Sequence, residues 1–346
     1  MTNRPRPPAF SRLRVPFPEL AVIDLSHRAN SGQVRAAVRD YIRIARPDHW
    51  VKNIFMVPGA ALAFVLVHKT NGLPVPNLII AAISCCLMAS ANYTINEYLD
   101  APFDRFHPLK RSRPGAEGRL DVRLVAAQYA VLAAAGGILA WCINGAFLAT
   151  SLWLLAMGVA YNVEPLRTKD RQYLDVLSES VNNPIRFLLG WFAVTASVIP
   201  PGSVLLAYWM GGAFLMGTKR YSEYRRIADP VQAGYYRRSF EHYTENSLLL
   251  SSFFYAVCSA FLIGVFLIKY KIELLLSFPF FAVLFTWYLA IGLKSDSAAQ
   301  APEKLYREAA FMGFAALTFA VVMILFVVDI PILDGLMRPY YIPLGH

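Results

Sequence analysis

From residue 51 onward the chain returns repeatedly to long apolar runs, at 51–67, 77–99, 124–143, 146–163, 181–198, 204–218, 247–268, 274–293 and 309–328. A helix needs about 17–25 such residues to cross a hydrocarbon core. In lipid every backbone N–H and C=O must be satisfied within the segment or a closed barrel, so serial apolar runs of this length mean helices. The prediction is an all-α polytopic membrane protein, a bundle of about nine transmembrane helices. The run at 204–218 is the shortest, and is expected to continue as helix beyond the membrane. Composition agrees: 56% of residues are hydrophobic and 16% charged, against about 25% charged in soluble domains. A soluble enzyme, a disordered chain and a collagen-like repeat are excluded.

Charge gives the orientation. With the N-terminus in the cytosol, one side holds 29 of the 33 Lys and Arg, and the other only Lys69, Lys269, Lys271 and Arg338. Positive residues stay inside, so the expectation is an inner (cytoplasmic) membrane protein with N-terminus in, C-terminus out and the active face cytosolic. The net charge of +10 fits loops lying near anionic lipid rather than a nucleic-acid surface. Residues 1–50 read as a basic N-terminal segment, 51–328 as the transmembrane domain and 329–346 as an outer-side tail. The prolines and arginines of the first 30 residues lack the apolar stretch of a cleaved signal peptide. Residues 31–44 have the spacing of an amphipathic surface helix, with Val34, Val38, Ile42 and Ala45 on one face. The four cysteines have no CxxC spacing, so neither zinc nor redox chemistry is implied, and they are expected to be buried apolar thiols.

The second run ends in a polar row. Asn92, Asn96, Asp100 and Asp104 are spaced by four, so a helix that tolerates Pro102 puts them on one face. Carboxylates one turn apart repel, and a hard divalent cation such as Mg²⁺ can hold them together on oxygen ligands shared with substrate phosphates. The basic stretch Arg105–Arg113, with Lys110, follows at once. Carboxylates for a metal beside cations for phosphate make a diphosphate site. An acidic helix end facing water is the plain alternative, but amides inside an apolar span usually face a cavity.

The run N-x3-D-x3-D-R-x-H-P-x-K-x-x-R-P-x3-G, from Asn96 to Gly118, resembles the signature of the UbiA superfamily of intramembrane prenyltransferases. Tyr161 to Lys169 resembles that superfamily's Y-[SN]-x-x-P-x-R-x-K segment. The resemblance implies nine helices around a lipid-facing cavity capped by cytosolic motif loops. It also implies that Asn96, Asp100 and Asp104 are catalytic and bind Mg²⁺. Glu97 stands where many members have Asp.

The region after the sixth run departs from the usual second Asp-rich repeat and reads Gly217-Thr-Lys219-Arg220-Tyr221-Ser-Glu223. This looks like the decaprenyl-phosphate phosphoribosyltransferase branch. So do Arg46-Pro-Asp-His-Trp-Val-Lys52-Asn53, Arg186-x3-Gly190 and the segment from Arg237 to Thr244. That branch implies substrate contacts from Lys52, Asn53, Asn92, Arg105, Lys110, Arg113, Lys169, Arg186, Lys219, Arg220, Tyr221, Glu223 and Tyr243. The implied partners are a polyprenyl phosphate or prenyl diphosphate lipid and a phosphorylated sugar donor. A polar stretch, Asp175 to Arg186, reads equally as a loop tightened by Pro184 or as a changed pocket with Glu179, Asn182 and Asn183 near ligand. Three functions stay open: transfer of a phosphorylated sugar to a polyprenyl phosphate, transfer of a prenyl group to a small acceptor, and a non-enzymatic lipid transporter or scaffold.

Overall fold

The computed structural model describes residues 38–67, 72–105, 110–294, 297–300, 305 and 307–337. Residues 1–37, with most of the expected surface helix, lie outside these, as do His107 in the motif loop and the tail beyond 337. Among these residues thirteen α-helices follow in order, here α1 (Val38–Ile44), α2 (Val57–Val67), α3 (Val75–Asp104), α4 (Val122–Trp141), α5 (Gly145–Asn162), α6 (Leu174–Ser180), α7 (Asn182–Val194), α8 (Gly202–Ile227), α9 (Pro230–Tyr236), α10 (Glu245–Tyr270), α11 (Phe278–Gly292), α12 (Ala309–Val327) and α13 (Pro331–Met337). No strand occurs among the described residues.

Among the described residues, seven helical segments are long and apolar enough to cross a membrane. The two other expected runs also form helices, α7 and α8. However, α7 has only 13 residues, and α8 is 26 residues long with a basic second half. The turn at Val181 breaks the polar stretch into two helices, with Pro184 tolerated in the first turn of α7, so it is no loop.

Packing follows membrane rules, where small residues rather than large ones bring helices together. On α10 the exposed stripe is Leu250, Phe253, Phe254, Val257 and Phe261, facing lipid, while Ser252 and Ser259 are buried. Ser252 lies against Gly217 of α8, and the Ser259 hydroxyl donates to the Ala207 carbonyl at 2.9 Å. The α2–α7 crossing is closer still. A Cβ at Gly59 would strike the Phe187 carbonyl, and one at Gly190 the Met56 carbonyl, so the glycine of Arg186-x3-Gly190 has a packing reason. The thiol expectation needs correction. Cys85 is buried, but Cys86 and Cys258 are half-buried and Cys142 is exposed, because it falls at the end of α4, where the chain turns.

Candidate active site

The 30 residues of α3 span about 45 Å at 1.5 Å per residue, more than a hydrocarbon core of about 30 Å. The polar row therefore stands on a rigid helix end that continues through Pro102. A 3₁₀ helix, Pro47–Met56, runs alongside it. Arg46 meets Glu97 at 2.6 Å, Trp50 Nε1 donates to Ser90 Oγ at 2.9 Å, and Asn53 Nδ2 donates to Cys86 Sγ at 3.2 Å. Glu97 is buried and also lies 3.8 Å from Arg113. The methylene that Glu97 has beyond an Asp thus serves ion pairs off the polar row.

Each member of the row gives one atom to the protein. Asn96 Nδ2 donates to Asn162 Oδ1 at 2.5 Å. Asp100 Oδ1 takes the Lys169 ammonium, with Arg167 3.8 Å away, and Asp104 Oδ2 takes Arg113 at 2.7 Å. Among the described residues, Asn96 Oδ1, Asp100 Oδ2 and Asp104 Oδ1 have no hydrogen-bond or ion-pair partner. Two hard carboxylate oxygens and an amide oxygen at helical spacing are a donor set that fits Mg²⁺. No group of three or more His, Cys, Asp or Glu placed to hold a metal ion occurs among the described residues, so such an ion would need substrate oxygens to complete its shell.

Two hollows meet at this row. The larger, about 530 Å³, is lined by Asn92, Asn96, Asp100, Lys52, Lys110 and Arg113 at its polar parts, and by Leu215, Met216, Phe311 and Met312 elsewhere. Lys219, Arg220, Glu223, Arg186, Glu179, Asn182 and Asn183 also line it. The smaller holds Asp100, Asp104, Lys110 and Lys169 with Phe103, Tyr236 and Arg237. Burial lowers the Lys110 amine to about 8, partly offset by Glu223 and Asp104. Burial likewise lowers Lys169, against the pull of Asp100.

A second ionic cluster sits on α6 and α8. Arg220, fully buried, donates to Glu179 Oε2 at 2.5 Å and Glu223 Oε2 at 2.9 Å, and its Nε lies 3.5 Å from Asp175 Oδ2. Tyr161 OH also donates to Glu179, at 2.7 Å. Burial would raise the Glu179 carboxyl, but Arg220 and Lys219 outweigh it and hold it near 2.

The remaining sequence candidates fall outside the cavity lining. Tyr221 OH donates to Glu245 Oε1 at 3.2 Å, Tyr243 OH to the buried Asp175 at 2.8 Å, and Arg105 Nε to the Ala116 carbonyl at 2.9 Å. Asn53 accepts from Arg186 behind the wall. Sequence reasoning passed over Asn162, whose Oδ1 accepts from both Asn96 and Lys169, and Arg237, which lines both hollows. Both stood inside segments already quoted, next to residues chosen for their charge.

The UbiA prenyltransferase family model matches residues 56–315, and the chain belongs to that family. It is a membrane-embedded transferase of the UbiA type. Among similar proteins, the decaprenyl-phosphate phosphoribosyltransferase of Mycolicibacterium smegmatis is 28% identical over 233 residues, covering 65% of this chain and 71% of that protein. Nodulation protein NoeC of Azorhizobium caulinodans is 28% identical over 202 residues, covering 58% of this chain and 62% of its own length. The 4-hydroxybenzoate octaprenyltransferase of Ectopseudomonas mendocina is 30% identical over 195 residues, covering 55% and 61%. The fold is shared with a UbiA homolog from Archaeoglobus fulgidus bound to GPP and Mg²⁺. Its TM-score is 0.63 at 20% identity, covering 84% of this chain and 100% of that one.

Proposed function

We propose that the chain transfers a phosphorylated sugar, 5-phosphoribose from phosphoribosyl diphosphate, to a polyprenyl phosphate, with Mg²⁺ held by Asn96, Asp100 and Asp104. The observation that carries this reading is the cavity's inventory. Eight cationic side chains, Arg46, Lys52, Lys110, Arg113, Arg186, Lys219, Arg220 and Arg237, line one hollow beside the carboxylate row, more than a prenyl diphosphate with a neutral acceptor calls for. The sugar-transferring relatives add support. Topologically, the motif-bearing end faces the cytosol, where a soluble sugar diphosphate is available, with the N-terminus on the same side.

When bound, Mg²⁺ supplies Lewis-acid stabilisation of the diphosphate leaving group. Lys110 and Arg113 stand beside the same carboxylates and add charge-assisted hydrogen bonds to its oxygens. Lys169 is held on Asp100 and Asn162 and keeps the carboxylate oriented. A lipid phosphate oxygen attacks the anomeric carbon, the C–O bond to diphosphate breaks, and diphosphate carries its electron pair away. The apolar part of the cavity, with Leu215, Phe311 and Met312, accommodates the chain of the lipid.

Labelled phosphoribosyl diphosphate and labelled prenyl diphosphates, given in parallel to membranes carrying the protein, test this. The expected result is sugar label entering lipid only when polyprenyl phosphate is present. Prenyl transfer to a small acceptor without any sugar donor would reject the reading in favour of octaprenyltransferase-like chemistry. Movement of polyprenyl phosphate across vesicles with no turnover would favour a transporter.

A further inference from the structure

Burial of arginine in this protein comes with a carboxylate, with one exception. Among the described residues three arginines are buried: Arg167, Arg186 and Arg220. Arg167 sits on Asp170 at 2.9 Å, and Arg220 serves Glu179, Glu223 and Asp175. Arg186, 7% exposed, has only neutral partners. Its Nε donates to Asn53 Oδ1 at 2.9 Å and its Nη1 to the Asn182 carbonyl at 3.2 Å. A guanidinium taken out of water with no counter-charge is strongly penalised. Its Nη2 has no partner among the described residues, and Arg186 lines the large cavity.

Its place differs from that of the carboxylate row. Asn53, its partner, bonds to Cys86, which lies ten residues before Asn96, about 15 Å of helix. From there the guanidinium reaches toward the first turn of α7. Lys52 and Lys219 line the same cavity and are electrostatic neighbours, with Glu179 and Glu223 also facing Lys219. Lys219 makes no hydrogen bond or ion pair with any described residue, so its charge too is available to a ligand.

We propose that Arg186 anchors a second phosphate subsite in the cavity, one that takes a phosphomonoester and is separate from the diphosphate site at Asp100 and Asp104. It rests on reading the cavity as a home for phosphorylated substrates. The phosphate comes either from the headgroup of the lipid acceptor or from the 5-phosphate of the sugar donor. A buried guanidinium with no carboxylate beside it is completed by an anionic ligand, whereas a structural arginine has its charge matched by carboxylates of the fold, as Arg220 has.

The test uses full-length wild type, Arg186→Met and Arg186→Lys in detergent, titrated with farnesyl phosphate and, separately, ribose 5-phosphate, with melting followed throughout. Arg186→Met is expected to weaken at least one of these probes tenfold or more, and Arg186→Lys to weaken it less. Without ligand, Arg186→Met should melt no lower than wild type, because it removes an unpaired buried charge. Binding of inorganic diphosphate with Mg²⁺ should stay within twofold. Loss confined to farnesyl phosphate assigns the subsite to the acceptor, and loss confined to ribose 5-phosphate assigns it to the donor. Unchanged affinity for both overturns the subsite. So does a variant that melts well below wild type and loses diphosphate and phosphomonoester binding alike, since that is a structural arginine. Absence of sugar transfer by wild type would reject the proposed reaction and leave these binding outcomes to be judged on their own.

Discussion

The two ionic clusters of this cavity use the same residue types to opposite effect. On α3, Asp100 and Asp104 each meet one cation closely through one oxygen and keep the other open. On α6 and α8, a single guanidinium, that of Arg220, is shared by Asp175, Glu179 and Glu223, and Asp175 also accepts from Ser239 and Tyr243. A carboxylate with an open oxygen can exchange partners as substrate arrives. Asp175, engaged through both oxygens, cannot, and its work is to fix the wall, while Glu179 and Glu223 are held by Arg220 through Oε2 alone. Charge near a ligand therefore does not by itself distinguish binding from scaffolding.

The strongest challenge to this contrast is Arg220→Met. It takes the close counter-charge from Glu179 and Glu223 and leaves Asp175 with Arg237 at 3.9 Å, and breaking a buried pair costs about 3–5 kcal/mol. Melting in detergent should drop steeply, and a variant as stable as wild type would return Arg220 to the substrate-binding class. Asp100→Asn keeps an acceptor for Lys169 but removes the charge. Turnover of folded protein should fall by well over tenfold with little change in melting; near-normal turnover there and in Asp104→Asn would remove the metal assignment. Lys219→Met removes an ammonium that no described residue holds, so KM for the sugar donor should rise about tenfold, or about 1.4 kcal/mol, with lipid affinity unchanged. A matched pair of substrate titrations reads this directly. The smallest effect concerns Lys110. Its depressed amine, about 8, is charged below that pH and neutral above it, so attraction for diphosphate is lost as pH rises. The alkaline limb of kcat/KM should turn near pH 8 and move upward in Lys110→Arg; an unmoved limb would assign it to another group.

Much of this was legible in the sequence because the membrane leaves a chain few options. The apolar runs had to be helices, and the spacing of Asn96, Asp100 and Asp104 had to share a face once α3 stayed helical through Pro102. The unreadable part is tertiary. Arg220 finds Glu179 and Asp175, 41 and 45 positions earlier, and no local pattern reveals that its charge is already spent. Tyr221 and Tyr243 lie within the quoted motifs, yet their hydroxyls turn to Glu245 and Asp175, so a motif letter marks a neighbourhood rather than a contact. Cys142 was misjudged for a simpler reason: apolar surroundings in a membrane chain do not mean burial.

The length of α3 carries a consequence for kinetics. Its polar end overshoots the hydrocarbon core, which brings the carboxylates level with lipid headgroups. In the proposed reaction a long-chain phosphate then never has to leave its leaflet to react, and its arrival is a two-dimensional search. The concentration that governs its saturation is a mole fraction in the bilayer, diluted by every other lipid present, while a water-soluble donor obeys its ordinary molarity. Diluting the membrane with inert phospholipid at fixed total substrate would slow one partner and leave the other untouched.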